Sequence, residues 1–543
     1  MLISASLSGC TKGWLDINQN PNVPTSPEIN QLLSACQRYM AQALTQGNFI
    51  GTSLSSYTHH VVVREAENYG MNPQANNPYN TWNYLYLDAL KNMDAVIEFG
   101  EANDYLIYAG IAKTLKAYTF SILVDLWGPV PFTEFNIPGL TSPKPDPDKD
   151  IYNACFALLD EAVADLRNTS VANLRKPGTD DFYYGGNVDR WVKLNNTIKL
   201  RLLLQSRKAK ADISDWQGKL STLISANNFI ATGEDFQFMY NERTNPTDMR
   251  HPAFLGYSGQ HTFFISPYFY ETMTGQTYNI IDNPFAGIRD PRIPYYFVNQ
   301  LATGAASENP HEYRNGNFMS RFFCSNGPNG NSVGDRSYSK VGIYACGGKY
   351  DTGAGGAVSL TTGTGSAPHK MITFAALKFM LAELALTGDI SQDARTLMKD
   401  GIEAAFAHVN TVAARQTGTP QITNAARDEY VTAILEKYNA ADNAGKMRIL
   451  IMQKWIHNFM NPIDCYNDYR RTGYPTLFDP QKTQAPGFGV NPTVTDRSAA
   501  QVPLMNIASF PRSLYYPSNS ETELNPNMPQ KTNLSVPLVF WDK

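Results

Sequence analysis

The sequence has few charged residues and no long hydrophobic run. Asp, Glu, Lys and Arg make up 17% of the 543 residues, below the share of about a quarter that is usual in soluble domains. The 45 basic residues nearly balance the 49 acidic ones, which gives a net charge of −4 and no basic block. Nucleic acid is therefore excluded as the main partner. No run of about 18 uncharged apolar residues occurs, so no segment is predicted to span a bilayer.

Cysteine and histidine are scarce and unclustered. The chain has six cysteines without a C-x-x-C pair, and none of its eight histidines lies in an H-E-x-x-H motif. The adjacent His59 and His60 would point about 100° apart on a helix, which is a poor chelating geometry. The sequence therefore predicts no metal, no cofactor and no catalytic residue. A disulfide between Cys324 and Cys346 is compatible with their spacing, and the other cysteines after Cys10 are expected to be buried free thiols.

One acidic segment resembles the start of a calcium-binding loop. Asp146, Asp148 and Asp150 alternate as the ligands of such a loop do, but Ile151 and Ala157 stand where it needs glycine and glutamate. A Pro-rich loop followed by an acidic helix start explains the segment better, because carboxylates are favourable at a helix N-terminus.

The first ten residues resemble the end of a bacterial lipoprotein signal. Leu7-Ser8-Gly9-Cys10 places a branched apolar residue and two small residues before a cysteine, as a lipobox does. In such a motif the thiol takes the lipid and the cysteine becomes the new amino terminus. We therefore expect Cys10 to anchor the protein in a membrane, and the residues before it to be the remnant of a longer signal peptide.

Apolar residues recur at helical spacing on both sides of a different central stretch. The central stretch is rich in Gly, Asn, Pro, Ser, Tyr and Phe and has no lasting helical pattern. The pattern predicts a mainly α protein, built from tetratricopeptide-like helical hairpins, with a large irregular loop-rich ligand-binding face. The expected segments of this single unit are a signal remnant with lipobox (1–10), a tether (11–25), an N-terminal helical-hairpin part (26–227), a loop-rich insertion (228–368), a C-terminal helical part (369–480) and an irregular end (481–543).

Aromatic residues make up 12% of the chain. Those on helical stripes are expected in the core. Those in polar loops have no assured burial, and flat rings beside amide and carboxylate groups suit sugar rings or extended peptides. The candidate ligand-binding residues are therefore Tyr69, Asn72, Asn77, Tyr79, Tyr257, Tyr313, Phe322, Tyr338, Tyr344 and Tyr350.

Several short segments, in order along almost the whole chain, carry a family resemblance. They are Leu15–Pro24, Asp125–Phe132, Asp290–Tyr296, Gln453–Ile456, Asn467–Pro475 and Pro511–Pro517, the last followed by Glu521 and Asn525. Together they resemble the SusD/RagB family of nutrient-binding outer-membrane lipoproteins of Bacteroidetes.

This resemblance implies a fold of about four tetratricopeptide-like helix pairs that support a loop-built ligand face. It also implies a partner, a SusC-like TonB-dependent transporter, over which the lipoprotein closes as a lid on an oligosaccharide or oligopeptide. No catalysis is implied. By position, the loop Arg64–Tyr84 and the central insertion would line the ligand face. The residues after Cys10 (TKGWLD) lack the acidic cluster expected of a surface-export signal.

Two other classes of protein are compatible with the sequence. A secreted helical glycoside hydrolase or lyase would need two carboxylates flanking the scissile bond, for which Glu65 and Glu67 form the nearby loop pair. A helical-repeat scaffold for protein partners would need neither sugar nor peptide. The charge pattern does not separate glycan from peptide ligands.

Overall fold

A computed structural model describes residues 27–63, 76–258, 263–278, 280, 283–306, 313–323, 336–477 and 509–543. Over these ranges the chain is mainly α-helical, as predicted, and its strands have only two to five residues. Among the helices so described, none is both long and apolar enough to cross a membrane.

The N-terminal part consists of consecutive helices. They are α1 (Ile29–Leu44), α2 (Phe49–Tyr57), α3 (Asn76–Asn83), α4 (Lys91–Ala102), α5 (Leu106–Trp127), α6 (Asp148–Leu166), α7 (Val188–Gln205) and α8 (Trp216–Ala226). The connections from α1 to α2 and from α4 to α5 are short, and those before α6 and α7 are longer. A π-helical stretch, Tyr84–Leu90, joins α3 to α4 without a break.

The central helix of this part is α5. From Ile107 to Trp127 every side chain except Lys116 is buried, and α1, α4, α6 and α7 all pack against it. A helix that is apolar on all sides belongs in a protein interior. It ends at Gly128, where φ is +78° and where a Cβ atom would lie 2.7 Å from the Leu538 carbonyl oxygen, so only glycine fits this position.

The central stretch holds short strands and single helical turns. The strands are β1 (Val61–Val63), β2 (Phe236–Met239), β3 (Phe263–Ile265), β4 (Phe297–Val298), β5 (Tyr313–Asn315), β6 (Phe318–Ser320), β7 (Lys340–Val341) and β8 (Pro368–Ile372). The short helices are α9 (Pro252–Leu255), α10 (Pro267–Thr274), α11 (Ile293–Tyr296) and α12 (Ile343–Cys346). The strands form antiparallel pairs, β1 with β3, β2 with β8, β4 with β7 and β5 with β6.

The C-terminal part is again helical. Its helices are α13 (Phe374–Leu386), α14 (Ala394–Ala413), α15 (Asn424–Ala440), α16 (Asn443–His457) and α17 (Pro462–Thr472). The first four helices are preceded by Thr373, Asp393, Thr423 and Asp442. Each of these side chains accepts a hydrogen bond from a backbone N–H group in the first turn of its helix. Such N-caps satisfy donors that a helix start leaves without intrahelical partners.

Several contacts join the helical parts, among them the packing of α17 against α2. Helix α13 packs against α14 and α16 and also against α7. The segment from residue 509 to the end of the chain folds back onto α5, where Trp541 Nε1 donates to Asp125 Oδ1 at 3.0 Å. The N-terminal and C-terminal helices therefore share one hydrophobic core.

Two apolar stripes of the sequence are followed by a glycine, Gly100 and Gly128, and glycines at such positions predict helix ends. The helix α5 does end at Gly128, whereas α4 continues past Gly100 to Ala102. Gly100 is buried inside α4, where a Cβ atom would come within 3.1 Å of the Tyr105 carbonyl oxygen. Close packing therefore explains this glycine better than a helix end does.

Candidate functional site

Several predicted residues lie outside the described part of the chain. These are Cys10, Tyr69, Asn72, Glu65, Glu67 and Cys324. Their predicted roles in lipidation, ligand binding, catalysis or a disulfide stay predictions. Cys346, the proposed partner of Cys324, is a buried free thiol, and burial raises its pKa to about 12.

Five of the candidate rings are buried. They are Tyr257, Tyr313, Phe322, Tyr338 and Tyr344. The Tyr313 hydroxyl donates to Glu271 Oε1 at 2.8 Å, and the Tyr344 hydroxyl accepts a hydrogen bond from Lys370 Nζ at 2.8 Å. The Tyr338 ring packs against Phe264, with centroids 4.4 Å apart. The expectation that polar loops leave these five rings exposed is therefore wrong, because the loop segments fold over them. Tyr257 still lines a small cavity of about 160 Å³, and contact of the five rings with a ligand stays a prediction.

Of the remaining candidates, Tyr79 and Tyr350 lie nearer the surface. Asn77 and Tyr79 are on α3, and Tyr79 is half-buried. Tyr350 is half-buried and packs edge-on against Tyr295, with centroids 5.0 Å apart. It directly precedes Asp351, which lines a cavity of the central stretch. Their contact with a ligand stays a prediction.

That cavity, the loop-face cavity, has a volume of about 690 Å³, within the range of small-ligand pockets. It opens at the junction of four segments, which are the end of α10, the segment before α11, the turn between β5 and β6 and the segment after Tyr350. Its lining residues are Tyr270, Gln276, Arg289, Asp290, Pro291, Ile293, Pro294, Asn299, Asn315, Gly316, Asn317, Phe318, Asp351, Thr352 and Gly353.

Asp351 is held in place by backbone and amide groups. Its Oδ2 accepts from Asn299 Nδ2 at 2.7 Å and from the Asn299 backbone N–H at 3.3 Å. Its Oδ1 accepts from the Gly353 backbone N–H at 2.8 Å. Asn299 is itself fixed, because its Oδ1 accepts from Ser339 Oγ at 2.7 Å. The carboxylate is half-exposed and keeps lone pairs for a ligand.

The β5–β6 turn supplies amides on the other side of the cavity. Asn315 and Asn317 flank Gly316, whose φ is +59°, as a tight turn requires. Asn315 Nδ2 donates to Gln276 Oε1, and Asn317 Nδ2 donates to Thr303 Oγ1 at 3.2 Å. Both amides therefore have positions set by the protein rather than by solvent.

Aromatic and cationic groups complete the cavity. The Tyr270 ring stacks on Phe318, with centroids 3.7 Å apart and planes 8° from parallel. Burial raises the pKa of Tyr270, and the guanidinium of the exposed Arg289 beside its hydroxyl partly opposes that rise. A hydroxyl and a guanidinium thus stand beside an apolar ring pair.

One carboxylate of the cavity is already paired. Asp290 and Arg292 are both buried, with Arg292 Nη2 2.6 Å from Asp290 Oδ2 and Nε 2.9 Å from Oδ1. The Arg292 guanidinium also lies over the Phe406 ring, 4.5 Å from its centre. Asp351 is therefore the carboxylate of this cavity that has no ion-pair partner within the described ranges.

The acidic segment resembling a calcium loop makes contacts with the protein itself. Asp146 Oδ2 accepts from the backbone N–H groups of Phe132 and Thr133 at 2.9 and 2.8 Å. Asp148 Oδ2 accepts from the Phe540 backbone N–H at 2.7 Å. Over the part of the chain that the structure covers, no group of three or more His, Cys, Asp or Glu side chains is placed to hold a metal ion.

Sequence reasoning missed the polar residues of the loop-face cavity. Asn299, Asn315 and Asp351 stand in loops without periodicity, and their contacts join segments far apart in the sequence. The available signals were the Asn-Gly-Asn turn at residues 315–317 and the position of Asp351 directly after the candidate Tyr350. The aromatic pattern predicted a ligand site made of rings, whereas the polar groups that line the cavity are mostly amides, with a carboxylate and a guanidinium.

Comparison with known protein families gives one match over most of the chain. The family model SusD-like_2, described as "Starch-binding associating with outer membrane", matches residues 21–493. No curated protein has a significant sequence match to this chain.

Solved structures of similar fold cover nearly the whole chain. A SusD homologue from Bacteroides fragilis is 18% identical with a TM-score of 0.67, covering 95% of this chain and 100% of its own. A chitin-binding SusD homologue from Flavobacterium johnsoniae is 20% identical with a TM-score of 0.61, covering 95% and 98%. A SusD/RagB family protein from Bacteroides thetaiotaomicron is 19% identical with a TM-score of 0.63, covering 95% and 99%. At these identities the likeness shows the fold alone.

Proposed function

The chain belongs to the SusD-like family, and on that premise we propose that it binds oligosaccharides and delivers them to a SusC-like TonB-dependent outer-membrane transporter. In this proposal the loop-face cavity holds the ligand, and the protein closes over the transporter barrel as a lid. Cys10 carries the lipid that anchors the protein at the cell surface. The family description, starch-binding and associated with the outer membrane, supports both the ligand class and the location.

The observation that carries this proposal is the chemical make-up of the loop-face cavity. It combines a carboxylate, amides, a guanidinium and a tyrosine hydroxyl with the apolar surfaces of prolines. Sugar hydroxyls are both donors and acceptors, so they suit such planar polar groups, while the C–H surface of the ring suits apolar side chains. A volume of about 690 Å³ accommodates a short oligosaccharide segment.

Binding would use groups that the fold already holds in position. Asp351 and Asn299 are fixed by mutual and backbone hydrogen bonds, so little ordering entropy is lost when a ligand hydroxyl donates to Asp351. The exposed Arg289 can reorient to donate to a ligand oxygen at the cavity mouth. Fixed acceptors and one adjustable donor favour recognition of a ligand with repeated hydroxyl groups.

The arrangement of carboxylates supports binding without turnover. A glycosidase needs two carboxyl groups on either side of the scissile bond. In the loop-face cavity Asp290 is held by Arg292 in a buried ion pair, which leaves Asp351 alone. The hydrolase alternative would therefore need Glu65 and Glu67 or another pair of carboxyl groups outside the loop-face cavity.

The test is calorimetric titration of the purified protein with maltooligosaccharides, chitooligosaccharides and uncharged peptides. We expect binding of an oligosaccharide class, with peptide binding as the outcome that would change the ligand class. Asp351→Asn removes a charged acceptor while keeping the shape, so the affinity should fall about tenfold or more. The matched control is Asp428→Asn, an exposed carboxylate on α15, which should leave the affinity unchanged.

Other results would contradict parts of the proposal. Release of shortened sugars during the titration, detected by chromatography, would establish an enzyme. Failure to bind any sugar or peptide, together with capture of a barrel protein, would favour the helical-repeat scaffold instead. Transporter delivery is tested separately by co-purification of the tagged protein with a TonB-dependent barrel from membranes, with Cys10→Ser as the variant expected to lose membrane attachment.

A further inference from the structure

A second cavity lies among the helices and shares no lining residue with the loop-face cavity. This helix-side cavity has a volume of about 570 Å³. It is formed by the loop before α7, strand β2, the start of α13 and one side of α14. The residues that matter for its chemistry are Phe182, Tyr183, Asp235, Gln237, Phe374 and His408.

Asp235 forms the polar floor of this cavity. Its Oδ1 accepts from the Phe374 backbone N–H at 2.7 Å, at the first turn of α13. Its Oδ2 lies 4.0 Å from His408 Nε2, beyond hydrogen-bond distance. One oxygen of the carboxylate is thus bound to the scaffold, and the other has no hydrogen bond from the surrounding described residues.

His408 does not neutralise Asp235. Its Nε2 lies 2.9 Å from Gln237 Oε1, which can only accept, so Nε2 carries the hydrogen. Its Nδ1 then accepts from the Tyr344 hydroxyl at 3.3 Å. Burial lowers the pKa of His408 to about 3, so the imidazole is neutral at pH 7. The histidine therefore offers the cavity a ring without positive charge.

The cations around the cavity are engaged elsewhere. Lys378 Nζ lies 3.1 Å from Asp400 Oδ2, and Arg190 Nε lies 3.7 Å from Glu234 Oε1. The buried Lys370 donates to Tyr344 and to the His457 carbonyl oxygen. Among the described residues, Asp235 therefore forms no ion pair with a lysine or arginine. Burial raises the pKa of Asp235, and the Phe374 N–H and the charge of Lys370 oppose that rise only in part, so a cation bound beside this carboxylate would be stabilising.

The rings around this carboxylate suit a positively charged ligand. Phe182 lines the cavity and is 42% exposed. Phe374 already has Lys378 Nζ 5.3 Å from its ring centre. Aromatic rings attract cations through their quadrupoles, and the attraction grows when water is excluded.

We propose that the helix-side cavity binds a small molecule with a primary ammonium group, which donates to Asp235 Oδ2 and packs against Phe182 and Phe374. The cavity volume of about 570 Å³ is large enough for a small ligand such as a sugar unit or an amino acid. An amino sugar and a basic amino acid share this chemistry. The site is independent of the loop-face cavity and of its proposed oligosaccharide.

The test is calorimetric titration of the full-length protein with glucosamine and with lysine, which separates the two sources of the ammonium group. N-Acetylglucosamine is the matched ligand without positive charge. We expect one of the two ammonium ligands to bind and N-acetylglucosamine to bind at least about tenfold more weakly. Asp235→Asn keeps an acceptor for the Phe374 N–H but loses the charge, so it should weaken the ammonium ligand by a similar factor.

Two further variants make the result decisive. Phe182→Ala removes an exposed ring outside the core and should weaken the same ligand severalfold, whereas Asp428→Asn should leave it unchanged. The proposal is overturned if the wild-type protein binds neither glucosamine nor lysine, or if Asp235→Asn binds the ammonium ligand as tightly as the wild type. Asp235→Asn changes only the helix-side cavity, so titration of this variant with a neutral oligosaccharide measures binding in the loop-face cavity alone. The failure of one proposal can therefore be distinguished from the failure of the other.

Discussion

Asp125 carries a fully buried carboxylate that four side chains contact. Its Oδ1 accepts from Tyr152 and from Trp541 Nε1, and its Oδ2 accepts from Arg201 Nη2 at 3.1 Å and from Asn467 Nδ2 at 2.7 Å. Burial raises the pKa of this carboxyl group, and the neighbouring Arg201 partly opposes that rise. Hydrogen bonds from several structural elements therefore offset the free-energy cost of burying this charged carboxylate.

Removing this carboxylate should destabilise the protein strongly. Asp125→Ala removes one partner of Arg201 and the acceptor of three other buried donors, Tyr152, Trp541 and Asn467, so the free energy of unfolding should fall by about 3–5 kcal/mol. Chemical denaturation measures this change. The control Asp428→Ala removes an exposed carboxylate and should stay within about 0.5 kcal/mol of the wild type. Equal effects of the two variants would contradict a structural role for Asp125.

His251 makes stability depend on pH. It is buried, its Nδ1 accepts from the Ala253 backbone N–H at 3.1 Å, and burial lowers its pKa to about 3 from an ordinary value of 6.5. Between these values the unfolded chain binds a proton that the folded chain excludes, so stability falls as the pH drops below 6.5.

His251→Asn should reduce this acid sensitivity. Asparagine keeps an acceptor for the Ala253 N–H but does not titrate. Between pH 7 and pH 5 the variant should lose about 2 kcal/mol less stability than the wild type. Denaturant titrations at the two pH values measure the difference. An identical loss in both proteins would mean that His251 is protonated without unfolding.

At the scale of elements, α5 and α6 approach each other closely at one glycine. A Cβ atom on Gly110 would lie 2.8 Å from the Ala162 carbonyl oxygen and 2.7 Å from Leu166 Cγ. Because a backbone oxygen in a packed helix cannot move aside, Gly110→Ala should cost about 1–3 kcal/mol despite the better helix propensity of alanine.

A second helical glycine is the comparison for this prediction. The three atoms nearest to a Cβ atom on Gly401 in α14 would all belong to the Phe379 ring, the closest at 2.9 Å, and a side chain can shift. Gly401→Ala should therefore cost less than Gly110→Ala in thermal denaturation. The reverse order would show that ring packing, rather than backbone contact, limits the helix spacing.

The helices were predictable from the sequence, and the central stretch was not. Helix α5 was predictable from an apolar pattern that ends at Gly128. Contacts within a helix are local, so its buried side chains recur at a regular spacing in the sequence. The pairing of Val61 with Ile265 leaves no local pattern. The π-helical stretch Tyr84–Leu90 continues a helical stripe that the sequence correctly indicated, but its wider turns have no signature in composition.

The same physical reason limits prediction of the candidate site. Asn299 and Asp351 are brought together by strand pairs and turns far apart in the chain, so their spacing carries no signal. Burial of Tyr313 and Tyr344 also depends on non-local segments that fold over them. Polar composition indicated a loop-rich face, but which loop residues are covered depends on contacts that only the three-dimensional structure specifies.

At the scale of the whole molecule, the end of the chain closes the N-terminal helical part. The Tyr516 hydroxyl donates to the Trp127 carbonyl oxygen at 3.2 Å, and Lys531 Nζ donates to the Leu514 carbonyl oxygen at 2.8 Å. Trp541 is fully buried, and the Arg470 guanidinium lies 4.4 Å from its ring centre. Helices α5 and α17 are thus connected through a residue near the end of the sequence.

This connection predicts that a very short truncation has a global effect. Deleting residues 541–543 removes the Trp541 side chain, opens a large cavity beside Asp125 and leaves that carboxylate with fewer donors. Loss of a buried tryptophan alone costs about 3–5 kcal/mol, so the thermal transition of the whole protein should shift down as one event. Lys543→Ala is the control, because its ion pair with Asp212 is exposed and is worth under about 1 kcal/mol. If the truncated protein kept the wild-type transition temperature, the segment after residue 509 would be an attachment to the helical fold rather than part of its core.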